Sequence, residues 1–518
     1  MKKVIYINCF LDPWVKVAEK MMTERGFEPV YWVGYKEEQG TKEIIAKSFP
    51  NAMFQYDIDA WRGIFPAEVK EKAASSYIDI DFLRKFSAEE LQALKMMERL
   101  DPDRYSFNLM ERQSFFQNLV KSWTACLDIT KPDMVITPAT PHRVFDYVLF
   151  LLCCYRNIPF LSFDHMPFNG RFIIQKNNIY SIGELFKSDY LNFEKLPTET
   201  LDVPNDILQR FKEVNSDYDT AKPYYMSSEE INNKRWTGAL RIAKHIVSDA
   251  VKHRKELFGE HGRLKYWGGS CYKQGKYIPL ENGHYSAWLF YKNYLINNRY
   301  KKSLLKYYES LTTTPDYSAP YIVYFLHYQP EATSSPIGNI FVDQRLCIET
   351  LLKNLPENYM VYVKEHPHQL MTHREGHMSR MKDMYSDLIA NKRVKLISLN
   401  ESSFDLIKHS KAIGTICGTV GWESIVRQKP VVLFGFCWYE NYNKGVIRIT
   451  DDSSAKNIQK FIETYQYDEH SLMAYLAAVG KNTKYAYYYK AYHKEKLNMT
   501  EQECITTIID SIIEKYNS

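Results

Sequence analysis

Apolar and polar positions follow two different rhythms along this chain, and the change between them divides it. At the N-terminus Val4–Ile7 is an unbroken apolar run, followed by Asp12-Pro13-Trp14 and an amphipathic stretch to Glu24. Gly26 marks a helix stop and Pro29–Val33 is a second apolar run, so the pattern predicts strand, helix, strand. Pro132-Asp-Met-Val-Ile-Thr137 predicts a short buried strand that Pro138 and Pro141 terminate. A helix over Val144–Arg156 and a strand over Ile158–Phe163 follow, completing a second β-α-β unit of a parallel sheet.

The same rhythm returns beyond residue 318. Tyr321–His327, Tyr359–Lys364, Val394–Leu399, Ala412–Ile416 and Val431–Phe434 predict short buried strands, as expected inside a parallel sheet. Helices over Val342–Asn354, Ser403–His409 and Trp422–Arg427 lie among them. The tail from Thr500 to Tyr516 is amphipathic, and Thr500 with Glu503 has capping-box spacing. The expected architecture is therefore α/β. Two Rossmann-like halves, residues 1–180 and 316–485, are joined by a mostly helical insertion over 181–315. A helical tail over 486–518 packs back on the first half. Ligands in such sheets bind at the carboxyl ends of strands, which directs attention to the loops after Ile136, Phe163, Phe325, Val363 and Ile416.

Composition narrows the class. The chain has 518 residues, 45% hydrophobic and 25% charged, an ordinary globular balance. Its net charge of +5 is too weak to point to nucleic acid. The longest apolar run, Tyr147–Tyr155, is far short of the ~20 residues that cross a bilayer. The start, MKKVIYINCF, lacks a small-residue cleavage site and does not read as a secretory signal. Nine cysteines without a CxxC pair fit reduced thiols in a cytoplasm. The 40 tyrosines suit sugars and interfaces, although a low-GC codon bias enriches Tyr as well.

One segment departs from the average. From Asn232 to Ser310 there are 16 Lys and Arg against 5 Asp and Glu, interleaved with Trp236, Tyr266, Trp267, Tyr272, Tyr277, Tyr285, Trp288 and Tyr291. This reads either as a solvated helical insertion or as a surface for an anionic acceptor or phospholipid. A peripheral position at the inner face of the cytoplasmic membrane is the corresponding expectation.

Several strand ends carry reactive side chains. Lys364-Glu365-His366-Pro367 closes a strand, and a cation beside an imidazole suits a phosphate. Gly414-Thr-Ile-Cys-Gly418-Thr419-Val-Gly421-Trp-Glu423 is a strand, a Gly/Thr turn and a helix start. Amides at a helix N-terminus make an anion cradle there, and Glu423 either accepts from ribose hydroxyls or favours the helix dipole. Glu331, in the polar loop Gln329–Pro336, is a candidate base, acid or nucleophile, or a surface turn residue. His142 and Asp146, four apart, are placed on one face of a helix start, to hold a deprotonated hydroxyl or to cap. Asp164-His165 is a weaker candidate of the same kind. Asp57/Asp59, Asp79/Asp81 and Asp101/Asp103 are spaced as metal-holding DxD pairs but read as solvated or capping acids away from strand ends. No HExxH motif or His/Cys spacing suggests zinc and no GxSxG suggests a serine hydrolase, so neither chemistry is expected.

QPEATSS, Asp343-Gln344, VYVKEHP and GTVGWESIVRQKPVVLFGFCWY, in that order between Tyr324 and Tyr439, resemble the capsular polysaccharide biosynthesis family. That family includes bacterial capsule Kdo transferases, and the wider set of GT-B enzymes using CMP-activated ulosonic acids includes HP-motif sialyltransferases. The resemblance implies a GT-B fold with the donor nucleotide on the second half and the acceptor on the first. It implies that Lys364, His366 and Pro367, with Gly418, Thr419 and Gly421, contact the CMP phosphate while Glu423 holds the ribose. Glu331 would then lie nearest the anomeric carbon, with His142 and Asp146 facing it. It also implies transfer without a metal cofactor from a Kdo- or sialic-acid-like donor to a capsule, lipopolysaccharide or other surface glycan. A UDP-hexose transferase, a UDP-sugar 2-epimerase and a non-catalytic glycan- or lipid-binding scaffold are the alternatives.

Overall fold

The computed structural model describes residues 1–101, 107–216, 247, 251, 287–371, 374, 376–489, 494 and 497–518. The charged and aromatic stretch singled out between 232 and 286 lies outside the described residues apart from Val247 and Val251, as do the side chains of Trp288 and Tyr291.

Two twisted sheets form the molecule. The first contains β1 (Lys2–Ile7), β2 (Phe27–Gly34), β3 (Met53–Tyr56), β4 (Met134–Thr137), β5 (Phe160–His165), β6 (Arg171–Lys176) and β13 (Lys484–Tyr485), in the order β13-β6-β5-β4-β1-β2-β3. The second contains β7 (Tyr321–Phe325), β8 (Met360–Lys364), β9 (Val394–Ile397), β10 (Ala412–Thr415), β11 (Val431–Leu433) and β12 (Val446–Arg448), in the order β12-β11-β10-β7-β8-β9. The second sheet is parallel throughout. In both, the winding reverses beside the first strand, between β1 and β4 and between β7 and β10. That reversal is the dinucleotide-fold arrangement, and it opens a crevice at the carboxyl ends of those strands. The fold is α/β with two Rossmann-like halves, a GT-B-like build.

The apolar runs become strands because both faces of each sheet are covered. Val4, Ile5, Tyr6 and Ile7 have no exposed surface, with Ile5 and Ile7 in one core cluster and Val4 and Tyr6 in the other. The first helix spans Leu11–Arg25 and ends at Gly26 with φ 71°, a left-handed C-cap that glycine adopts without a Cβ penalty.

The tail returns to the first half. Thr500 and Glu503 complete a reciprocal capping box, and the helix Glu501–Asn517 buries Ile505, Ile508, Ile509 and Ile512 beside Val4, Tyr6 and Trp14. Four isoleucines at about 1.5–3 kcal/mol each give a gross stabilisation of roughly 6–12 kcal/mol, an upper bound because the unfolded chain is not fully extended.

Two readings of the pattern are corrected. Asp57 and Asp59 are not solvated: they follow β3 directly and are 2% and 1% exposed. The short strand Met-Phe-Gln-Tyr carries them to the sheet's carboxyl edge, where Asp57 accepts from the Lys36 amide at 3.0 Å and pairs with Arg143 at 3.6 Å. Asp101 is likewise buried and bound by Arg112 at 2.9 Å. Asp79 caps its helix through the Asp81 amide, as a capping acid should, while Asp103 lies outside the described residues.

Candidate active site

The crevice of the second sheet lies where β7 and β10 diverge. His327, two residues beyond β7, receives the Cys417 amide on Nε2 at 3.2 Å. Burial, reinforced by Arg380, holds its pKa down at about 4, so the ring is neutral and able to accept that bond. Gly418 follows. A Cβ there would come within 3.2 Å of His327 Nε2, which keeps the turn open for close approach. Gly418 is also the N-cap of helix Thr419–Val426, and no side chain caps it. The first-turn amides and the positive end of the helix dipole therefore face the crevice. Tyr439 donates its hydroxyl to the Gly418 carbonyl at 2.6 Å, and a Cβ on Gly421 would meet that oxygen at 2.2 Å.

His366 stands at the end of β8. Its Nδ1 accepts from the His368 amide at 3.1 Å and its own amide donates to Glu365 Oε1 at 2.7 Å. The proton of the neutral ring is thereby placed on Nε2. Burial holds this imidazole well below its usual pKa, with repulsion from His368, His327, Arg380 and Arg374 added.

Beneath it is a buried ion pair. Glu365 and Arg380 have no exposed side-chain surface and meet at 2.7 Å. Arg380 also donates to Gln329 Oε1 at 2.7 Å and to the His327 carbonyl at 2.9 Å, while Tyr385 donates to Glu365 at 2.6 Å. Gln344 and Gln369 complete the lattice with bonds to His327 and Gln329. A charge pair this deep must be fully hydrogen-bonded to be tolerated, and here it ties the loops after β7 and β8 to each other.

Lys364 is placed differently from the expectation. Its ammonium donates to Ser403 at 3.0 Å and to the Glu401 carbonyl, in the loop after β9. Burial lowers its pKa to about 8, against the opposing pull of Glu401 and Glu309. The cations whose charge reaches His366 are Arg380 and, more weakly, Arg374, whose guanidinium lies 5.6 Å from the centre of the Tyr328 ring beside that histidine. Pro367 is exposed at the head of the loop. Glu423 is half-buried and faces Arg427 at 3.8 Å. Burial raises its pKa, opposed by Arg427, Arg210 and Thr419. Glu331 is exposed, its carbonyl receiving the Ser334 and Ser335 amides in a tight turn. Its charge is felt by Cys417 on its own half and by Tyr489 on the other.

Across the crevice, His142 Nδ1 sits 2.6 Å from the Thr140 carbonyl. This bond makes Nδ1 the donor and Nε2 the basic nitrogen of the neutral ring. The helix begins only at Phe145, because Val144 adopts φ 61°, ψ −61° and the Phe145 amide bonds back to the Arg143 carbonyl at 2.7 Å. That is a γ-turn, strained for a β-branched residue. His142 and Asp146 consequently do not share a helix face, a correction to the spacing argument. Asp146, 1% exposed, accepts from the Arg143 amide at 2.6 Å and from Asn8 at 3.2 Å, joining the two strands at the reversal point. Burial pushes its pKa up to about 6. Asp164 is buried and bound by Thr140 and Gln175.

His327, Arg374 and Arg380 carried no local signal, and Gln329 stood out only as the first residue of the polar loop 329–336. Their partners are 15 to 90 residues distant, and only the tertiary fold makes them a set.

Among the described residues no group of three or more His, Cys, Asp or Glu is arranged to hold a metal ion. Among them, no helix is long and apolar enough to cross a membrane.

Residues 334–489 match the family model described as capsule polysaccharide biosynthesis protein. The chain thus resembles that family across the loops after β8, β10 and β11. No curated protein matches the chain. Solved structures similar to it include the beta Kdo 2,4 transferase of Thermosulfurimonas dismutans KpsC (12% identity, TM-score 0.30), covering 74% of this chain and 87% of that one. The beta Kdo 2,7 transferase of the same protein is 15% identical with TM-score 0.23, covering 42% of this chain and 61% of that chain. UDP-GlcNAc 2-epimerase from Methanocaldococcus jannaschii is 12% identical with TM-score 0.23, covering 91% and 94%. Similarities this distant say nothing about substrate.

Proposed function

We propose that this protein is a glycosyltransferase. In this reading it moves a sugar, best a Kdo- or sialic-acid-like ulosonic acid, from a CMP donor to a surface glycan acceptor. The observation that carries the reading is the convergence at one strand-order reversal of three groups suited to a phosphate. These are His366 with its Nε2–H, the uncapped start of helix Thr419–Val426, and the Arg374 cation, all three inside the family-matched segment 334–489, with His366 and Arg374 on the loop after β8 that the Glu365–Arg380 pair binds.

The chemistry follows from charge. When the bond between the anomeric carbon and the phosphate oxygen breaks, its electrons go to CMP, which leaves as a phosphate monoester. Preorganised donors around that phosphate stabilise the charge as it develops. No step calls on a metal, since the protein's own cation and N–H groups meet the leaving group. On the facing half, His142 Nε2 accepts the proton of the acceptor hydroxyl as it attacks. Asp146 fixes the backbone of Arg143 and so the turn that carries His142. Glu331, exposed between the halves, is the carboxylate available to a cationic anomeric carbon.

Ligand-induced stabilisation tests the nucleotide assignment, because anything that binds only the folded state raises the melting temperature. CMP without metal is expected to raise it, with EDTA making no difference and His366→Ala removing the effect. Stabilisation by UDP and not CMP would overturn the donor and favour hexose transfer or epimerisation. Silence to all nucleotides would favour a scaffold.

A further inference from the structure

The loop that carries His366 is held from beneath by the last helix before the second sheet, Ala287–Ser310. Residues 297, 300, 301, 304 and 308 recur at helical spacing and share one face. Leu304 and Tyr308 have no exposed surface and enter the core under β8. The polar groups of that face meet the loop in sequence. Tyr308 Oη receives the Glu365 amide at 3.0 Å and donates to the Ile397 carbonyl at 2.6 Å. Lys301, fully buried, directs its ammonium to the carbonyls of Met371 at 2.8 Å and Arg374 at 2.6 Å. Tyr300 donates to the Arg380 carbonyl at 3.1 Å. These contacts fall at the beginning, the middle and the end of the 365–380 loop.

We infer that this helix is the strut that sets the phosphate-binding loop, with Tyr300, Lys301 and Tyr308 as positioning residues for His366 and Arg374. The inference rests on the nucleotide reading of the crevice. An ammonium has three donors and no acceptor, and a buried one draws carbonyls into a fixed arrangement through charge-assisted bonds. Here it draws together two carbonyls three residues apart, which closes the turn that presents Arg374. Removing the charge leaves those oxygens turned toward each other in a dry site, and the turn opens. Part of the donor-site geometry therefore lies outside the family-matched segment 334–489, on the end of the inserted region.

The test uses the full chain with Lys301→Met, Lys301→Arg, Tyr308→Phe and, as a control, Lys302→Met on the exposed face. CMP affinity is measured by calorimetry and donor KM by CMP release. Lys301→Met is expected to raise the CMP Kd and the donor KM about tenfold with a smaller change in kcat. Lys301→Arg should recover most of the loss, Tyr308→Phe should cost a few fold, and Lys302→Met should match wild type. A folded Lys301→Met with wild-type CMP affinity would overturn the inference. If that variant does not fold, unchanged affinity in Tyr308→Phe overturns it. If wild type binds no CMP, the nucleotide reading fails by itself, and amide exchange decides the strut. Residues 365–380 should then exchange faster in Tyr308→Phe, and unchanged exchange would contradict the inference.

Discussion

Asp146 is buried at 1% exposure with its pKa pushed up to about 6, against 3.8 for the unperturbed carboxyl. The folded state therefore binds its proton more tightly than the unfolded chain does. Stability falls as pH rises from about 4 through 6, and the cost persists above that window. Between those two pKa values the cost is of order 3 kcal/mol. Asp146→Asn keeps an acceptor for the Arg143 amide and removes the charge. It should melt higher than wild type at pH 7.5 and converge with it near pH 4, read by paired thermal scans. A variant that melts lower at pH 7.5 would show that the charge is held favourably by Arg143. The Glu365–Arg380 pair behaves in the opposite way. Arg380→Met strands a carboxylate with no exposed surface and should cost about 3–5 kcal/mol, measured by denaturant unfolding.

At the scale of elements, the turn from β10 into helix Thr419–Val426 depends on glycine for space. Gly421→Ala would push Tyr439 off the Gly418 carbonyl. It should weaken CMP binding several fold, with Tyr439→Phe restoring none of it because the bond itself is lost. The loop after β8 makes a prediction of its own. Burial keeps His366 neutral far below its usual range, so CMP affinity should stay level or rise between pH 6 and 7.5 as the phosphate gains its second charge. A tenfold fall over that interval, by calorimetry, would mean that an imidazolium is the binding form. Much at this scale was legible beforehand. Strands such as Tyr321–Phe325 and the Thr500–Glu503 capping box are written in local pattern. So was the glycine turn at 418–421, because its chemistry is local. The lattice of His327, Gln329, Glu365 and Arg380 was not, since its pair spans a loop of irregular backbone and its remaining bonds join the loops after β7 and β8, which only the sheet order brings side by side. Asp57 and Asp59 were misread for a similar reason: a four-residue strand gives too few alternations to reveal the sheet edge. His142 and Asp146 were paired on helical spacing, but a γ-turn at Val144 delays the helix.

Across the whole molecule, the two halves are joined on one side by Phe168 against Trp438 at 5.5 Å and by Glu440 receiving the Gly183 amide at 3.0 Å. On the other side Gln92 meets Asn339 at 3.0 Å and Glu98 meets Ser379 at 2.7 Å. The chain's last helix stabilises the half in which the chain begins. Deleting residues 501–518 uncovers the Val4, Tyr6 and Trp14 face of the first sheet. It should lower the melting temperature of that half by more than 15 °C or leave it unfolded, as seen by calorimetry; an unchanged melt would contradict the packing described here. The central claim is sugar transfer from a CMP donor at the crevice of the second sheet. The most direct measurement is release of CMP from a CMP-activated ulosonic acid, followed with and without glycan acceptor, in wild type and in His366→Ala. The account predicts acceptor-stimulated release with EDTA present and at least a hundredfold loss in the variant. Release that ignores His366, or none with any CMP-activated sugar while a UDP-sugar is consumed, would contradict it.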